Sequence, residues 1–226
     1  MILPKQRQTQ AIPYILVIVF TALLVQLVGH YHAEALVIGS NFYLSWLLLR
    51  IALPALAIVA MRIPFSRIGL GRPRIDRRTG GIIILIVVLL FVVFACIYFF
   101  ESYFNAYSAS FQGKGRLDRF ISFMLFTGST LTGWEFLHRG FILMGVLYIL
   151  TERERLSAQT ASLIAIALVW AFEVLFHFIK PELEVLGMLV GSPVLSWLAL
   201  RTRSIWVPFL IHLLVELLFI ASLVMR

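Results

Sequence analysis

Three apolar segments in the second half of the chain each carry two ionisable residues four positions apart. The pairs are Glu135 with Arg139, Glu173 with His177, and His212 with Glu216. Residues at positions i and i+4 share one face of a helix, so each segment is predicted to present a two-residue polar stripe. Because a charge at the bilayer centre costs about 2.5–3.5 kcal/mol on insertion scales, the stripes are expected to converge on one interior site.

The residue types in these stripes favour hydrolysis by an activated water. A carboxylate buried among apolar groups is a good general base for water. One histidine beside it can orient that water, and a second can donate to a developing oxyanion. The sequence pairs no hydroxyl or thiol with a histidine in an obvious motif, so covalent catalysis is the weaker hypothesis.

Three other interpretations of the stripes stay open. Glutamate and histidine also bind divalent zinc or iron, although the chain has no His-Glu-x-x-His motif, so a divalent metal is possible but no cofactor is required. A proton- or metal-coupled transporter also uses buried glutamate and histidine, but the inverted repeats typical of transporters are not found. Glu135 with Arg139 is also consistent with a self-neutralising ion pair. His138, off that helix face, is interpreted as a packing or interface residue, and Arg50 as a structural one.

The composition requires a membrane. Of the 226 residues, 61% are hydrophobic and 13% are charged, whereas a soluble domain is about 45–50% apolar and about 25% charged. The formal net charge of +8 lies in clusters between apolar runs, which is typical of membrane loops and not of a nucleic-acid surface. We therefore predict an all-α, polytopic transmembrane helix bundle whose surroundings are a lipid bilayer, with no nucleic-acid partner.

About seven spans are predicted, since a helix needs about 20 apolar residues to cross the hydrocarbon core. They are Ala11–Gly29, Phe42–Ala60, Gly81–Phe100, Phe120–Leu150, Thr160–Ile179, Leu183–Leu200 and Ser204–Val224. Small and hydroxyl residues between Gly128 and Gly133 interrupt the fourth, where we expect a break, a tilt or a short interfacial helix before Trp134. The arginine-rich segment Arg62–Gly80 should be cytoplasmic, which places the N-terminus in the cytoplasm as well. The chain is interpreted as one membrane domain, 1–226, with N-terminal spans and the basic loop in 1–118.

The C-terminal part, 119–226, resembles a known family. Residues 134–141, Trp-Glu-Phe-Leu-His-Arg-Gly-Phe, are similar to the first motif of the CPBP intramembrane proteases, the CAAX-protease and bacteriocin-processing (Abi) family. That motif is usually two glutamates, three residues and Arg-Gly. Glu173 through His177 has the spacing of the second motif, an aromatic residue, three residues and a histidine. His212 through Glu216 has that of the third, a histidine, three residues and asparagine or aspartate.

The resemblance implies a non-covalent peptidase in a bacterial cytoplasmic (inner) membrane, acting on a peptide or membrane-protein substrate. Carried over to this sequence, Glu135 is the base and His177 orients the water. His212 and Glu216 lie on the oxyanion side, and Arg139 holds the geometry of the glutamate.

Three residues depart from the family pattern. Trp134 replaces the first glutamate, Glu173 replaces the aromatic residue of the second motif, and Glu216 replaces asparagine or aspartate. The base is therefore either Glu135 or Glu173. The alternative function is a catalytically inactive relative that acts as a membrane scaffold or immunity factor.

Overall fold

The structure is a computed structural model that describes residues 11–31, 44–97, 115–178 and 182–224. Throughout these residues the regular structure is helical and no strand is present. The helices are α1 (Ala11–Tyr31), α2 (Leu44–Ala60), α3 (Arg77–Ile97), α4 (Arg116–Glu135), α5 (Gly145–Tyr148), α6 (Ala158–His177), α7 (Glu182–Thr202) and α8 (Trp206–Val224). A 3₁₀ turn covers Phe65–Arg67. The predicted all-α class is confirmed. The predicted span ends at Phe42, Phe100 and Ile179 lie outside the described residues.

The bundle buries charge and exposes apolar side chains, as expected of a protein surrounded by lipid. Arg50, Arg139 and Glu173 are buried, whereas Phe20 and Val190 are each 68% exposed. Within the described residues, four helical segments are long and apolar enough to cross a membrane, and they are Ala11–Gly29, Arg77–Ile97, Ala158–His177 and Glu184–Thr202. Shorter apolar helices cover Leu47–Ala60 and Trp206–Ala221. The chain is thus a multi-pass helical membrane bundle, and its division into seven spans with a cytoplasmic N-terminus stays a prediction.

The fourth predicted span is a continuous helical rod. The break expected before Trp134 is absent, because α4 continues to Glu135. Small polar residues fit this helix because the hydroxyls of Ser129 and Thr130 both donate back to the carbonyl of Phe126. The change in backbone comes later, with π-helical segments π1 (Phe136–Met144) and π2 (Ile149–Arg153) on either side of α5. Widened turns of this kind occur frequently at functional sites.

Arginines end three of the helical elements on the side predicted to be cytoplasmic. Arg62, Arg155 and Arg203 have φ angles of 54°, 55° and 54°, a left-handed conformation that glycine or asparagine usually adopts. They follow α2, π2 and α7. A cation beside the last carbonyl groups of a helix is favourable because those groups carry partial negative charge. Part of the arginine clustering is therefore explained by helix termination.

The basic loop after α2 is fixed to the turn between α7 and α8. The amide of Ile205 donates to the carbonyl of Gly69 at 2.9 Å, and the amide of Arg74 donates to the carbonyl of Thr202 at 2.8 Å. Gly69 adopts a φ of +78°, and an added Cβ would lie 3.2 Å from the Ile205 side chain. These contacts connect the loop after α2 to the start of α8, the helix that carries His212 and Glu216.

Asp76 joins the same two regions at the start of α3. Its carboxylate accepts a hydrogen bond from the amide of Thr79 at 2.7 Å and pairs with Arg201 of α7 at 3.0 Å. The hydrogen bonds from Thr79 hold the pKa of the Asp76 carboxyl below its usual value. The aspartate is therefore an ionised N-cap at neutral pH.

Substituting Gly133 by alanine is expected to weaken the packing of α2 against α4. A Cβ at Gly133 would lie 2.8 Å from the Cβ of Arg50, whereas a Cβ at Gly128 would meet nothing within 4 Å. Overpacking costs about 1–3 kcal/mol, so Gly133→Ala should lower the unfolding temperature in detergent. Gly128→Ala on the same helix is the matched control, and its better helix propensity should leave stability equal or higher by up to about 1 kcal/mol. Equal stability of the two variants would contradict the close helix approach.

Candidate active site

The elements that carry the three ionisable pairs pack against one another. Glu135 ends α4, and Arg139 follows one turn later in π1. The rod formed by α4 and π1 contacts α6, α7 and α8. All six predicted site residues are joined by the contacts that follow: Glu135, Arg139, Glu173, His177, His212 and Glu216.

Arg139 and Glu173 form a two-pronged ion pair across the interface between π1 and α6. The Nη1 atom of Arg139 donates to Oε1 of Glu173, and Nη2 donates to Oε2 at 2.8 Å. The indole Nε1 of Trp134 also donates to Oε1 at 2.7 Å. Arg139 and Glu173 are fully buried, and planar guanidinium and carboxylate groups suit such paired hydrogen bonds. Both oxygens of Glu173 are therefore occupied.

Glu135 differs from Glu173 in having one carboxylate oxygen uncommitted. Its Oε1 accepts from Nη1 of Arg139 at 3.2 Å and from Nδ1 of His212 at 2.8 Å. Its Oε2 is buried and has no hydrogen-bond partner among the residues that the structure describes. Since buried polar atoms are normally hydrogen-bonded, this oxygen is suited to bind a water or a substrate group.

His212 extends the network from Glu135 toward the surface of the bundle. An ionised carboxylate can only accept, so Nδ1 of His212 carries the hydrogen directed at Glu135. The other ring nitrogen, Nε2, is 3.9 Å from Oε1 of Glu216, beyond hydrogen-bond distance. The side chains of His212 and Glu216 are 16% and 32% exposed. This end of the network is thus the more open one.

His177 is held by the backbone of its own helix and by Trp134. Its Nδ1 donates to the carbonyl of Glu173 at 2.7 Å. Its ring meets the indole of Trp134 edge to face, with the centroids 5.4 Å apart and the planes at 85°. The indole therefore contacts the histidine that the family motif assigns to water orientation.

His138 lies next to the site, although the sequence indicated only a packing role for it. Its Nδ1 donates to the carbonyl of Trp134 at 2.9 Å, so in the neutral ring Nε2 accepts from the amide of Gln26 at 3.2 Å. The ring stacks on the indole with centroids 4.1 Å apart. Gln26 was not identified from the sequence, and the available signal was a single amide in the apolar run of α1.

Arg50 of α2 completes the surroundings of Trp134. Its guanidinium lies 5.0 Å from the centre of the indole and donates to the carbonyl of Thr130 at 3.2 Å. A cation over the face of a tryptophan is attracted by the ring electrons. The structural interpretation of Arg50 agrees with these contacts. Trp134 is thus fixed by Arg50 and His138 on its rings and by Glu173 at its nitrogen.

The described histidine, cysteine, aspartate and glutamate side chains do not form a group of three or more placed to hold a metal ion. The prediction that no cofactor is required is not tested by this observation. The catalytic roles assigned to the six site residues also stay predictions.

Residues 118–218 match the family model described as "Type II CAAX prenyl endopeptidase Rce1-like". This range contains all six site residues. No curated protein and no solved structure matches the chain. The family recognised from the three motifs is therefore confirmed over the C-terminal part of the chain.

Proposed function

From the assignment of residues 118–218 to the CAAX prenyl endopeptidase family, we propose that this protein is an intramembrane endopeptidase that hydrolyses a peptide bond of a membrane-associated substrate. The nucleophile is a water activated by Glu135. One observation carries this proposal: Oε1 of Glu135 is held by His212 and Arg139, while the buried Oε2 has no partner among the described residues. An oriented carboxylate with one available oxygen is a suitable general base.

The reaction proceeds without a covalent intermediate. Oε2 of Glu135 takes a proton from water as the oxygen attacks the carbonyl carbon of the scissile bond. His212, protonated beside the anionic Glu135, donates from Nε2 to the tetrahedral oxyanion. Glu135 then returns the proton to the leaving amine, and the carbon–nitrogen bond breaks. The sequence left Glu135 and Glu173 open as the base, and the engagement of both Glu173 oxygens favours Glu135.

Glu173 and Arg139 act as positioning residues in this proposal. Arg139 contacts the carboxylates of both Glu135 and Glu173, so it fixes the orientation of the base. His177 is anchored through Nδ1 to the carbonyl of Glu173, and we assign to it the water-orienting role that the family motif implies.

A second candidate function is a catalytically inactive membrane scaffold or immunity factor. The contact of Trp134 with His177 favours it, since a bulky indole adjoins the histidine expected to orient water. Glu216 in place of asparagine or aspartate favours it too, because an ionised Glu216 repels an oxyanion. Only protonation of Glu216, or its orientation of His212, is compatible with the hydrolase.

For either function we propose the bacterial cytoplasmic (inner) membrane as the location, with a peptide or membrane-protein substrate or partner and no nucleic acid.

The proposed function is tested by incubating purified protein in liposomes with a library of membrane-anchored peptides. Wild type should generate new peptide termini detectable by mass spectrometry. His212→Gln should reduce the rate by about 100- to 1,000-fold, the usual effect of removing one oxyanion donor. Absence of cleavage by a folded wild type would instead favour the scaffold.

A chelator is expected to leave cleavage unchanged, since the proposed chemistry uses a carboxylate and an imidazole in place of a metal-bound water. The measurement compares initial rates with and without EDTA after prolonged dialysis. Loss of activity that added zinc restores would contradict the carboxylate mechanism.

A further inference from the structure

A chain of contacts runs from the first helix of the protein into the candidate active site. α1 packs against π1, and Gln26 of α1 is 4% exposed within a run of apolar residues. Its amide donates to Nε2 of His138 at 3.2 Å. A buried amide is costly unless it is hydrogen-bonded, so this contact directs the side chain inward. The site thus receives a residue from outside the matched segment 118–218.

His138 connects Gln26 to Trp134. Nδ1 of His138 donates to the backbone carbonyl of Trp134 at 2.9 Å, and the two ring centroids are 4.1 Å apart with the planes at 37°. The terminal torsion of a histidine side chain is broad, so a ring bonded at one nitrogen can still tilt. Hydrogen bonds at both nitrogens fix the plane of the ring, and with it the surface on which the indole packs.

The indole of Trp134 contacts both groups that prepare the water in the proposed reaction. Its Nε1 donates to Oε1 of Glu173 at 2.7 Å, and Nη1 of Arg139 donates to the same oxygen. Nη1 of Arg139 also donates to Oε1 of Glu135 at 3.2 Å. The indole meets the ring of His177 edge to face at 5.4 Å. A displaced indole would therefore disturb the base through the ion pair, and His177 directly.

The place of His138 distinguishes this arrangement from an ordinary hydrogen bond between helices. Such a bond contributes to helix association wherever it lies. Here the acceptor is a fully buried ring that lies between the amide of Gln26 and the indole of Trp134. Loss of the amide is therefore expected to change the position of the indole as well as the stability of the bundle.

We propose that Gln26 and His138 are positioning residues that hold Trp134 in place, so that α1 forms part of the active site. The catalytic meaning of this inference rests on the proposed peptidase function. The position of the indole is a structural property, so it can be measured in a protein that does not cleave.

The test records the ¹H–¹⁵N resonance of the Trp134 indole in detergent micelles, with ¹⁵N-labelled tryptophan, for wild type and Gln26→Met. Methionine keeps the length of the side chain and removes the donor. Trp134→Phe identifies the resonance among those of the five tryptophans. We expect Gln26→Met to shift this resonance, because the bond from the indole to Glu173 changes. The cleavage rate in liposomes should fall about 10- to 100-fold, as for residues that orient catalytic groups from outside.

Thr21→Val is the matched control, because it removes another buried polar group of α1. It should leave both the indole resonance and the cleavage rate unchanged. Gln26→Leu is a second apolar replacement and should shift the resonance in the same direction as Gln26→Met. Gln26 and His138 act through one contact, so adding His138→Phe to Gln26→Met should slow cleavage less than the product of the two single losses.

An unshifted indole resonance in the folded Gln26 variants would overturn the inference. Equal effects of Gln26→Met and Thr21→Val would overturn it too, since they would show only a general contribution of α1 to the fold. A shifted resonance in a protein whose wild type cleaves no peptide would retain the positioning of the indole and reject the peptidase.

Discussion

Glu135→Gln is expected to reduce peptide cleavage by about 100- to 10,000-fold, the range attributed to a general base. Glutamine keeps the size of the side chain, and its amide oxygen can still accept from His212 and Arg139, which both contact Oε1. The nitrogen in place of Oε2 cannot take a proton from water. The variant should therefore fold and lose the rate of the chemical step, which single-turnover cleavage in liposomes measures.

The control for this substitution is Glu182→Gln, at an exposed glutamate in the first turn of α7. It should cleave at the rate of wild type. Thermal unfolding of each variant in detergent reports whether a lost rate reflects lost structure. Full activity of a folded Glu135→Gln variant would assign the base elsewhere, with Glu173 as the other buried carboxylate of the network.

Glu173→Ala is expected to have the largest effect on stability, about 3–5 kcal/mol, because it leaves the guanidinium of Arg139 buried with one carboxylate fewer. Two hydrogen bonds from Arg139 and one from the indole of Trp134 are lost together. The change in the free energy of unfolding is measured by raising the fraction of denaturing detergent in mixed micelles.

Two comparisons give this stability prediction its specificity. Replacing Arg139 and Glu173 together by methionine should recover much of the loss, since the guanidinium is removed with its main partner and Glu135 keeps its contact with His212. Glu152→Ala removes an exposed ion pair with Arg67, 3.8 Å apart, and should cost no more than about 1 kcal/mol. If Glu173→Ala lowered the free energy of unfolding no more than Glu152→Ala does, the buried ion pair would not contribute substantially to stability.

The helical class could be predicted from sequence because apolar runs are long and charge is rare. The local geometry of the fourth predicted span could not be predicted in the same way. The residues between Gly128 and Gly133 suggested a break, yet the helix is continuous and their hydroxyl groups donate to preceding carbonyls of the same helix. The π-helical turns after Glu135 have no reliable signal in residue periodicity. The division of the chain at residue 118 stays a prediction.

The convergence of the ionisable residues could be predicted from their i, i+4 spacing. Which residues form hydrogen bonds and ion pairs with one another could not be predicted from that spacing. Local spacing pairs Arg139 with Glu135, whereas the structure gives Arg139 a two-pronged bond to Glu173 on another helix. The contacts of Gln26 and Arg50 around the site also join helices distant in sequence. Such contacts depend on how helices are oriented against each other, which spacing within one segment does not specify.

The central claim is that Glu135 and His212 act as one unit on water and substrate, and a double-mutant cycle on cleavage rates tests it most directly. Glu135→Gln, His212→Gln and the double variant are compared with wild type in the same liposomes. Residues that act as a unit have non-additive effects, so the double variant should cleave no more slowly than the slower single variant. Losses that multiply in the double variant, or a folded single variant with wild-type activity, would contradict the claim.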